Sequence, residues 1–256
     1  MDALQDLKVL ELGQLIAGPF AGRMLADFGA DVIKVENVKG GDPLRRWRLM
    51  RGDSSLWWEV QSRNKRSVAL DLHEEADRER VRALAAEADL VIENFTPGRL
   101  EDWGLGWERL RERNPDLVML RISGYGQDGP YAARPGFGVV GEAMGGLRHL
   151  TGEPGRTPVR CGISIGDSLA AMHGLFGALA ALRHAERTGE GQVVDVALYE
   201  SVFNVTESLL PEYTEAGIVR EATGSTLPGI APTNAYRCGD DGLVLVAGNG
   251  DRIFRD

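Results

Sequence analysis

Short apolar runs alternate with longer segments of helical periodicity along most of this chain. The runs have the length of buried strands, about six residues, and cover residues 7–12, 30–36, 67–72, 89–95, 116–122 and 192–198. Helices are predicted after the turn at residues 13–19 and over residues 74–88, 107–113 and 168–188. Strands that alternate with helices are typical of parallel sheets covered on both faces. The sequence therefore predicts an α/β fold with a doubly wound, mostly parallel sheet and helices on both faces.

The longest predicted helix begins at Ser168 and ends near Thr188, where Gly189 provides a C-terminal stop. Asp167 immediately precedes this helix, so its carboxylate faces the positive end of the helix dipole and free backbone N–H groups. Both favour the ionised form, which can cap the helix or act as a nucleophile. The local sequence leaves both roles open, and capping is the commoner use. One face of the helix is apolar at three- and four-residue spacing: Leu169, Met172, Leu175, Phe176, Leu179 and Leu182.

The composition is that of a globular protein, with 43% hydrophobic and 26% charged residues among 256. A net charge of −9 argues against wide contact with nucleic acid or an anionic membrane surface. We expect no apolar run long enough to span a membrane and no signal peptide at the N-terminus. Cys161 and Cys238 lack CxxC spacing and the four histidines form no cluster, so we expect no disulfide framework and no metal site. These features favour a cytoplasmic location.

Polar and glycine-containing loops follow four of the predicted strands. They comprise residues 13–19, the segment that begins at His73, and residues 94–98 and 123–130. In a doubly wound sheet, ligands bind at the carboxyl ends of the strands, where such loops lie. These loops either form simple turns or present backbone N–H groups to a ligand. Taken together, they are as compatible with a nucleotide or cofactor site as with turns alone.

A dinucleotide-binding loop does not account for the first of these segments. Gly13, Gly18 and Gly22 have the spacing G-x4-G-x3-G, whereas the dinucleotide motif requires G-x-G-x-x-G. The phosphate-binding motif G-x4-G-K-[ST] is also absent from the sequence, so hydrolysis of a nucleoside triphosphate lacks support.

Several longer motifs occur in a fixed order along nearly the whole chain. They are VLEL at 9–12 with AGP at 17–19, LADFGADVIKVE at 25–36, GDP at 41–43, NKRSVALDL at 64–72, ENFTPG at 93–98, SGYGQDGP at 123–130 and TGEGQ at 188–192. As a set, these motifs resemble the class III CoA-transferases, also called the CaiB/BaiF or formyl-CoA transferase family. The resemblance implies an enzyme whose substrates are an acyl-CoA and a small carboxylic acid, with no metal.

The resemblance places Asp167 at the position of the family's catalytic aspartate. It implies that the Asp167 carboxylate attacks the thioester carbonyl of an acyl-CoA and then carries CoA as an aspartyl thioester. The resemblance favours succinyl-CoA as the donor and a dicarboxylic acid as the acceptor, over formyl-CoA with oxalate or a carnitine-type acid. Four arginines between the glycine-rich loop and Asp167 are candidates to pair with a second carboxylate: Arg134, Arg148, Arg156 and Arg160.

The resemblance also implies a CoA site at the edge of the sheet. Two departures from the family affect the CoA phosphates, because Asn37 and Asp102 stand where some members have arginine. Lys39 and Arg99 are the candidate substitutes for those arginines. The implied contacts are Ile16 and Ala17 after the first strand, Leu70, Asp71, Leu72 and His73 near the adenine, Asn94, Phe95 and Thr96 near the pantetheine or phosphates, and Ser123, Gly124, Tyr125 and Gly126.

Two alternatives remain beside the transferase. Some relatives are α-methylacyl-CoA racemases, which pair the aspartate with a histidine that exchanges the α-proton. In this chain Phe137 fills the matching place and cannot transfer a proton, which favours the transferase. The second alternative is a CoA-binding fragment without turnover, because family members are considerably longer.

The implied domain organisation has three parts. Residues 1–200 form a Rossmann-like, CoA-binding and catalytic large domain, residues 201–225 a helical linker, and residues 226–256 the beginning of a smaller second domain. Members of the family form interlocked homodimers, so the resemblance implies a homodimer that a shortened chain has difficulty forming.

Overall fold

The computed structural model describes residues 2–255, apart from the side chain of Phe254. The strands are β1 Lys8–Glu11, β2 Asp31–Glu36, β3 Met50–Arg51, β4 Ser54–Ser55, β5 Lys65–Ala69, β6 Leu90–Glu93, β7 Val118–Ser123, β8 Val193–Ala197, β9 Asn234–Arg237 and β10 Leu243–Val246. The helices are α1 Ala17–Asp27, α2 Leu56–Ser62, α3 Glu75–Ala86, α4 Arg99–Asp102, α5 Trp107–Arg111, α6 Gly138–Met144, α7 Leu147–Leu150, α8 Ile165–Thr188, α9 Leu198–Phe203, α10 Leu209–Ala216 and α11 Asp251–Arg255. A 3₁₀ helix covers Pro43–Arg46.

A six-stranded sheet has the order β5-β2-β1-β6-β7-β8, and every neighbouring pair in it is parallel. The chain leaves β1 toward β2 and β5, then returns to β6 on the opposite side of β1. The strand order therefore reverses between β1 and β6. Such a switch point leaves a crevice at the carboxyl ends of the strands, where doubly wound proteins bind their ligands.

Hydrophobic clusters cover both faces of the sheet, which confirms the predicted fold class. On one face, α1 and α8 contribute small residues such as Ala21, Ala170 and Ala178, so these helices pack close to the strands. On the other face, α3 and the segments around α4 and α5 pack through Val81 and Leu100, among others. The central strands β6 and β7 are buried throughout, as expected for parallel strands with helices on both sides.

Helix α8 begins at Ile165, three residues before the predicted start. Ser164 occupies the N-cap position without a side-chain cap bond, and Asp167 lies in the first turn. The interpretation of Asp167 as the helix cap is therefore wrong. Gly166 hides the start in the sequence because glycine disfavours helix interiors.

The sequence-based expectation that no segment is long and apolar enough to span a membrane is also wrong, as judged by the length and composition of the helices. Among the described residues, α8 passes that test. A core helix passes the same test, and α8 buries Ala170, Leu175, Ala178 and Leu182 in the first hydrophobic cluster. Its apolar character therefore has an explanation within the fold.

The arginine-rich stretch at residues 37–65 contains more structure than its sequence pattern predicts. It forms the 3₁₀ helix, the β3–β4 hairpin and α2. Asp42 accepts a hydrogen bond from Leu44 N at the start of the 3₁₀ helix, and the Ser55 hydroxyl accepts one from Trp57 N at the start of α2. Side-chain caps of this kind fix short helices that periodicity does not reveal.

The contacts divide the chain into two compact units. The first contains the chain up to Gly145 together with Ser164–Val202, and the second contains Gly146–Ile163 and the chain from Phe203 onward. The sequence-based division assigns residues 146–163 to the large domain, whereas their contacts belong to the second unit. The second unit holds α7, α10, α11 and the antiparallel pair β9 and β10.

Candidate functional site

A cavity of about 310 Å³ lies within the first unit, at the carboxyl ends of β1, β6 and β7. The half-buried Asp167 contributes to its wall. The other lining residues come from the loops after these strands and from the segment before α6: Gln14, Leu15, Ile16, Ala17, Trp47, Asn94, Phe95, Thr96, Pro97, Ile122, Ser123, Gly124, Arg134, Pro135, Gly136, Phe137 and Leu198. The cavity therefore occupies the switch point of the sheet, and Asp167 is the one carboxylate among the described residues of its wall.

The Asp167 carboxylate lies against the first residue of α6. A Cβ atom on Gly138 would come within 2.2 Å of Asp167 Oδ2, so only glycine allows this approach. One residue before Asp167, a Cβ on Gly166 would lie 2.9 Å from Gly138 O. The two glycines let the first turns of α6 and α8 meet at the carboxylate. The N-terminal turn of a helix attracts negative charge, so these two helix starts suit a carboxylate at this position.

Asn94 joins the two loops that flank the switch point. Its Nδ2 donates to Gln14 O at 2.9 Å, and its Oδ1 accepts from Gln14 N at 2.7 Å. Gly13 and Gly18 pack on the same amide, where added Cβ atoms would lie 2.7 Å and 3.0 Å from Asn94 Oδ1. Asn94 therefore both lines the cavity and holds the loop after β1 in place.

A buried ion pair positions the loop after β6. Arg121 Nε donates to Glu93 Oε1 at 2.7 Å, and Glu93 Oε2 accepts from Phe95 N at 2.7 Å. Burial raises the pKa of Glu93, and the Arg121 guanidinium opposes that rise. The carboxylate thereby fixes the backbone at Phe95, whose side chain lies in the cavity wall.

The structure brings half of the predicted CoA-site residues into this cavity: Ile16, Ala17, Asn94, Phe95, Thr96, Ser123 and Gly124. Leu70, Leu72 and His73 line a smaller hollow of about 40 Å³ that shares Gln14 with the cavity wall. His73 meets Trp103 edge to face there, with ring centroids 5.7 Å apart.

Four predicted residues line neither space. Asp71 accepts a hydrogen bond from His73 N at 3.0 Å, so it shapes the turn that carries His73. The Arg99 guanidinium lies 5.6 Å from the Trp103 ring. Tyr125 packs against neighbouring aromatic rings, and Gly126 provides a left-handed turn with a φ of 88°.

Sequence reasoning missed several parts of the cavity wall. Trp47 is not among the predicted site residues, yet it lines the cavity directly after the 3₁₀ helix. Of the four candidate arginines, Arg134 lines the cavity, while Arg148, Arg156 and Arg160 belong to the second unit. The sequence did contain a signal for this part of the wall. Aspartate is favoured at the start of a helix, so Asp42 could have predicted the short helix that Trp47 follows.

Residues 162–166 also match the letters of the G-x-S-x-G motif. A nucleophile elbow places that serine on a sharp turn between a strand and a helix. Here no strand precedes Ser164 within the described residues of that segment, and Ser164 is the N-cap of α8. The match therefore does not make Ser164 a nucleophile.

Glu36, at the end of β2, carries a buried carboxylate with a strongly lowered pKa. Burial by itself raises its pKa, but hydrogen bonds from Arg45, Ser67 and the backbone of Asp42 outweigh burial and lower the pKa to about 2. Arg45 donates to both oxygens, at 2.6 Å and 2.8 Å. A folded-state pKa below the unfolded value means that ionised Glu36 stabilises the fold above pH 4.5, and that this stabilisation is lost as the pH falls toward 2.

We expect Glu36→Gln to remove roughly 3 kcal/mol of unfolding free energy at neutral pH, because folding lowers the pKa of Glu36 from 4.5 to about 2. Thermal melts from pH 7 to pH 2 should show the difference from the parent protein shrinking below pH 4.5. Glu79 is the matched control, since its pKa is also lowered to about 2 but its side chain is 51% exposed. Solvent screening should leave Glu79→Gln close to the parent protein. A constant difference for Glu36→Gln across the whole pH range would contradict this account.

The comparisons with known proteins decide the family. The family described as CoA-transferase family III matches residues 4–256. The chain belongs to CoA-transferase family III. The succinyl-CoA–D-citramalate CoA-transferase of Chloroflexus aurantiacus is 52% identical over 98% of this chain and 63% of its own length. The succinate–glutarate CoA-transferase of Agrobacterium fabrum is 38% identical over 98% of this chain and 65% of its own length.

A solved structure of this family supports the fold. A CaiB/BaiF family protein from Brucella suis superposes with a TM-score of 0.90 at 38% identity, covering 96% of this chain and 66% of that protein. The chain thus spans less than two thirds of the length of each of these three family members. Phe137, which is predicted from the sequence to fill the place of the racemase histidine, lies in the same cavity wall as Asp167. None of the residues in the described cavity wall is histidine.

Proposed function

We propose that this protein transfers CoA from an acyl-CoA donor to a carboxylic acid acceptor through covalent intermediates on Asp167. The observation that carries the proposal is the single half-buried carboxylate in the wall of the switch-point cavity. Succinyl-CoA is the proposed donor and a dicarboxylic acid the proposed acceptor. Support for these substrates comes from the relatives, whose names include succinyl-CoA or succinate together with citramalate, malate, mesaconate or glutarate.

The reaction proceeds through two kinds of intermediate at Asp167. A carboxylate oxygen attacks the thioester carbonyl, the C–S bond breaks, and a mixed anhydride forms as CoA thiolate leaves. The thiolate then attacks the aspartyl carbonyl, which releases the donor acid and leaves an aspartyl-CoA thioester. The acceptor carboxylate attacks this thioester, and the same steps in reverse yield the new acyl-CoA and the free Asp167 carboxylate.

The cavity supplies what this chemistry requires of a weak nucleophile. The first turns of α6 and α8 meet at the Asp167 carboxylate, and a helix N-terminus favours the negative charge that a nucleophilic carboxylate carries. Ile16 and Ala17 begin α1 at the same cavity, so backbone N–H groups of its first turn are available to the oxygen of an attacked carbonyl.

Ser123 provides a further polar group for the substrate. Ser123 lines the cavity and is 7% exposed, and its buried hydroxyl has no hydrogen-bond partner. The next residue, Gly124, touches Gly136, where an added Cβ would lie 2.6 Å from the Gly136 Cα. Gly136 is two residues before Gly138, which contacts Asp167, so this backbone contact joins the Ser123 side of the cavity wall to the segment beside Asp167.

We expect Ser123→Ala to lower transfer activity while leaving the free protein as stable or more stable. A buried hydroxyl without a partner destabilises the folded protein by about 1–3 kcal/mol, and alanine removes that penalty. The variant also lacks a hydrogen-bond donor to the substrate, which should reduce kcat/KM by about 10-fold. Melting temperature and steady-state kinetics on the same preparation measure both effects. Lower stability with unchanged kinetics would contradict this role.

CoA itself is proposed to extend from Asp167 along the carboxyl edge of the sheet. The reactive thioester occupies the main cavity, and the adenine lies in the hollow lined by Leu70, Leu72 and His73. Lys39 and Arg99 remain the candidates for the phosphates. We also propose that the protein is a cytoplasmic homodimer, in keeping with the family resemblance.

A transfer assay tests this function. The protein is incubated with succinyl-CoA and a panel of dicarboxylic acids, and new acyl-CoA products are separated and quantified. Transfer to at least one diacid, with release of succinate, is the expected result. Binding of CoA without any transfer would instead favour the fragment interpretation.

The racemase alternative has its own test. In deuterated water, a racemase exchanges the α-proton of a branched acyl-CoA without any acceptor acid. We expect no such exchange, because Phe137 cannot return a proton to the substrate. Rapid exchange would overturn the preference for the transferase.

A further inference from the structure

Four charged side chains are buried beneath the loop after β1, although the proposed chemistry does not use them. Glu11 is 0% exposed, Lys34 and Asp42 are each 1% exposed, and the side chain of Lys65 is 2% exposed. Burial of ions is costly, and the attraction within a buried pair often does no more than offset that cost. Stability alone is therefore a weak reason for such a cluster.

Both lysines connect this cluster to the backbone of the loop. Lys34 Nζ donates to Glu11 Oε1 at 2.9 Å and to Gly13 O at 2.6 Å, and it lies 3.0 Å from Asp42 Oδ2. Lys65 Nζ donates to Glu11 Oε2 at 2.6 Å and to Pro19 O at 2.7 Å. The loop is thus anchored at both ends by ammonium groups.

Asp42 holds the middle of the same loop, where the backbone is strained. Leu15 N donates to both oxygens of Asp42, at 3.1 Å and 3.2 Å. Leu15 has a φ of 63°, which is the left-handed region that a leucine side chain disfavours. Strain of this kind persists only where the surroundings enforce it, and it is concentrated at functional sites. Leu15 itself lines the cavity.

The same carboxylate also fixes a second wall of the cavity. Asp42 Oδ1 accepts from Leu44 N at 2.8 Å and so begins the 3₁₀ helix. Trp47 follows that helix directly, its backbone N–H donates to Leu44 O, and Trp47 lines the cavity. One buried anion therefore determines the backbone positions of two cavity segments that are distant in sequence.

We infer that Asp42 is a positioning residue, which holds Leu15 in its left-handed conformation and thereby places residues 14–17 and Trp47 around the substrate. Lys34 pairs with both Asp42 and Glu11, Lys65 supplies the second positive charge at Glu11, and together they keep the Asp42 anion in place under the loop. The expected loss of kcat/KM rests on the proposed function. The expected change in the conformation of residues 13–17 does not depend on turnover.

A double-mutant cycle between Asp42 and Leu15 tests this inference. Asp42→Ala should lower kcat/KM by about 10-fold to 100-fold, because small displacements at a reaction site have effects of this size. Asp42→Asn should lose less, since it keeps one acceptor oxygen. Leu15→Gly introduced into either variant should recover part of the loss, because glycine adopts a positive φ without steric cost. Losses that are merely additive would overturn the inference.

Amide hydrogen exchange provides a second readout that is independent of turnover. Residues 13–17 should exchange faster in Asp42→Ala and in Asp42→Asn than in the parent protein. Asn114→Ala is the matched control, because Asn114 is 8% exposed and donates to Ala85 O and Ala88 O, away from the cavity. It should lose stability while kcat/KM and exchange at residues 13–17 stay unchanged.

The outcomes separate this inference from the proposed function. If Asp42→Ala does not fold, Asp42→Asn carries both measurements. If the parent protein transfers no CoA, the proposed function fails. Faster exchange at residues 13–17 in the Asp42 variants would still support the conclusion that Asp42 holds Leu15 in place. Unchanged exchange at these residues in folded Asp42 variants would overturn the inference even if activity falls.

Discussion

Asp167→Asn is expected to reduce CoA transfer by about 10⁴-fold or more, which is the order of loss seen when a covalent nucleophile is removed. Asparagine keeps the shape of the side chain between α6 and α8 but cannot form the anhydride or the aspartyl thioester. The melting temperature should change little, because the half-buried side chain keeps its volume. Initial rates with succinyl-CoA and a diacid, measured beside thermal unfolding, separate loss of chemistry from loss of fold.

Ser168→Ala is the matched control for Asp167→Asn. Ser168 follows Asp167 in the same turn, and its hydroxyl donates to Ser164 O at 3.0 Å rather than lining the cavity. Activity near the parent level is therefore expected for Ser168→Ala. If Asp167→Asn retained more than a small fraction of the parent rate, Asp167 would not be the nucleophile.

Lys34→Met is expected to give the largest loss of stability, about 3–5 kcal/mol. Methionine removes the ammonium group and leaves the carboxylates of Glu11 and Asp42 buried close together, with Lys65 alone to neutralise them. Burial alone lowers the pKa of Lys34, but the charges of Glu11 and Asp42 outweigh it and raise the pKa above its ordinary value. The lysine is therefore charged at neutral pH, where denaturant unfolding measures its contribution.

Arg66→Met is the surface counterpart of Lys34→Met. Arg66 pairs with Asp31, but the two side chains are 65% and 48% exposed. Exposed pairs contribute at most about 1 kcal/mol, so Arg66→Met should unfold near the parent midpoint. A loss for Lys34→Met no larger than for Arg66→Met would contradict the view that the buried network holds this edge of the sheet together.

The sequence pattern predicts the central sheet because its signals are local. Runs of β-branched and apolar residues such as those in β2 and β7 indicate buried strands without any knowledge of their neighbours. Element ends are less well determined. The third predicted strand covers residues 67–72, whereas β5 covers Lys65–Ala69, because pairing with β2 begins at Lys65 opposite Val32.

The walls of the candidate site depend on contacts that spacing does not encode. Asp42 and Leu15 are 27 residues apart, and Asn94 reaches Gln14 across 80 residues. The doubly wound fold predicts that the loops after β1 and β6 meet, but not which side chain joins them. Likewise, Gly138 is an ordinary glycine in the sequence, and its role follows only from the 2.2 Å separation that a Cβ would have from Asp167 Oδ2.

Trapping of the covalent intermediate tests the central claim most directly. The protein is incubated with succinyl-CoA, treated with hydroxylamine, digested and analysed by mass spectrometry. We predict a hydroxamate on the peptide that contains Asp167, dependent on succinyl-CoA and absent from Asp167→Asn. A hydroxamate on another carboxylate, or CoA transfer that proceeds without any hydroxylamine-sensitive adduct, would contradict the assignment of Asp167 as the nucleophile.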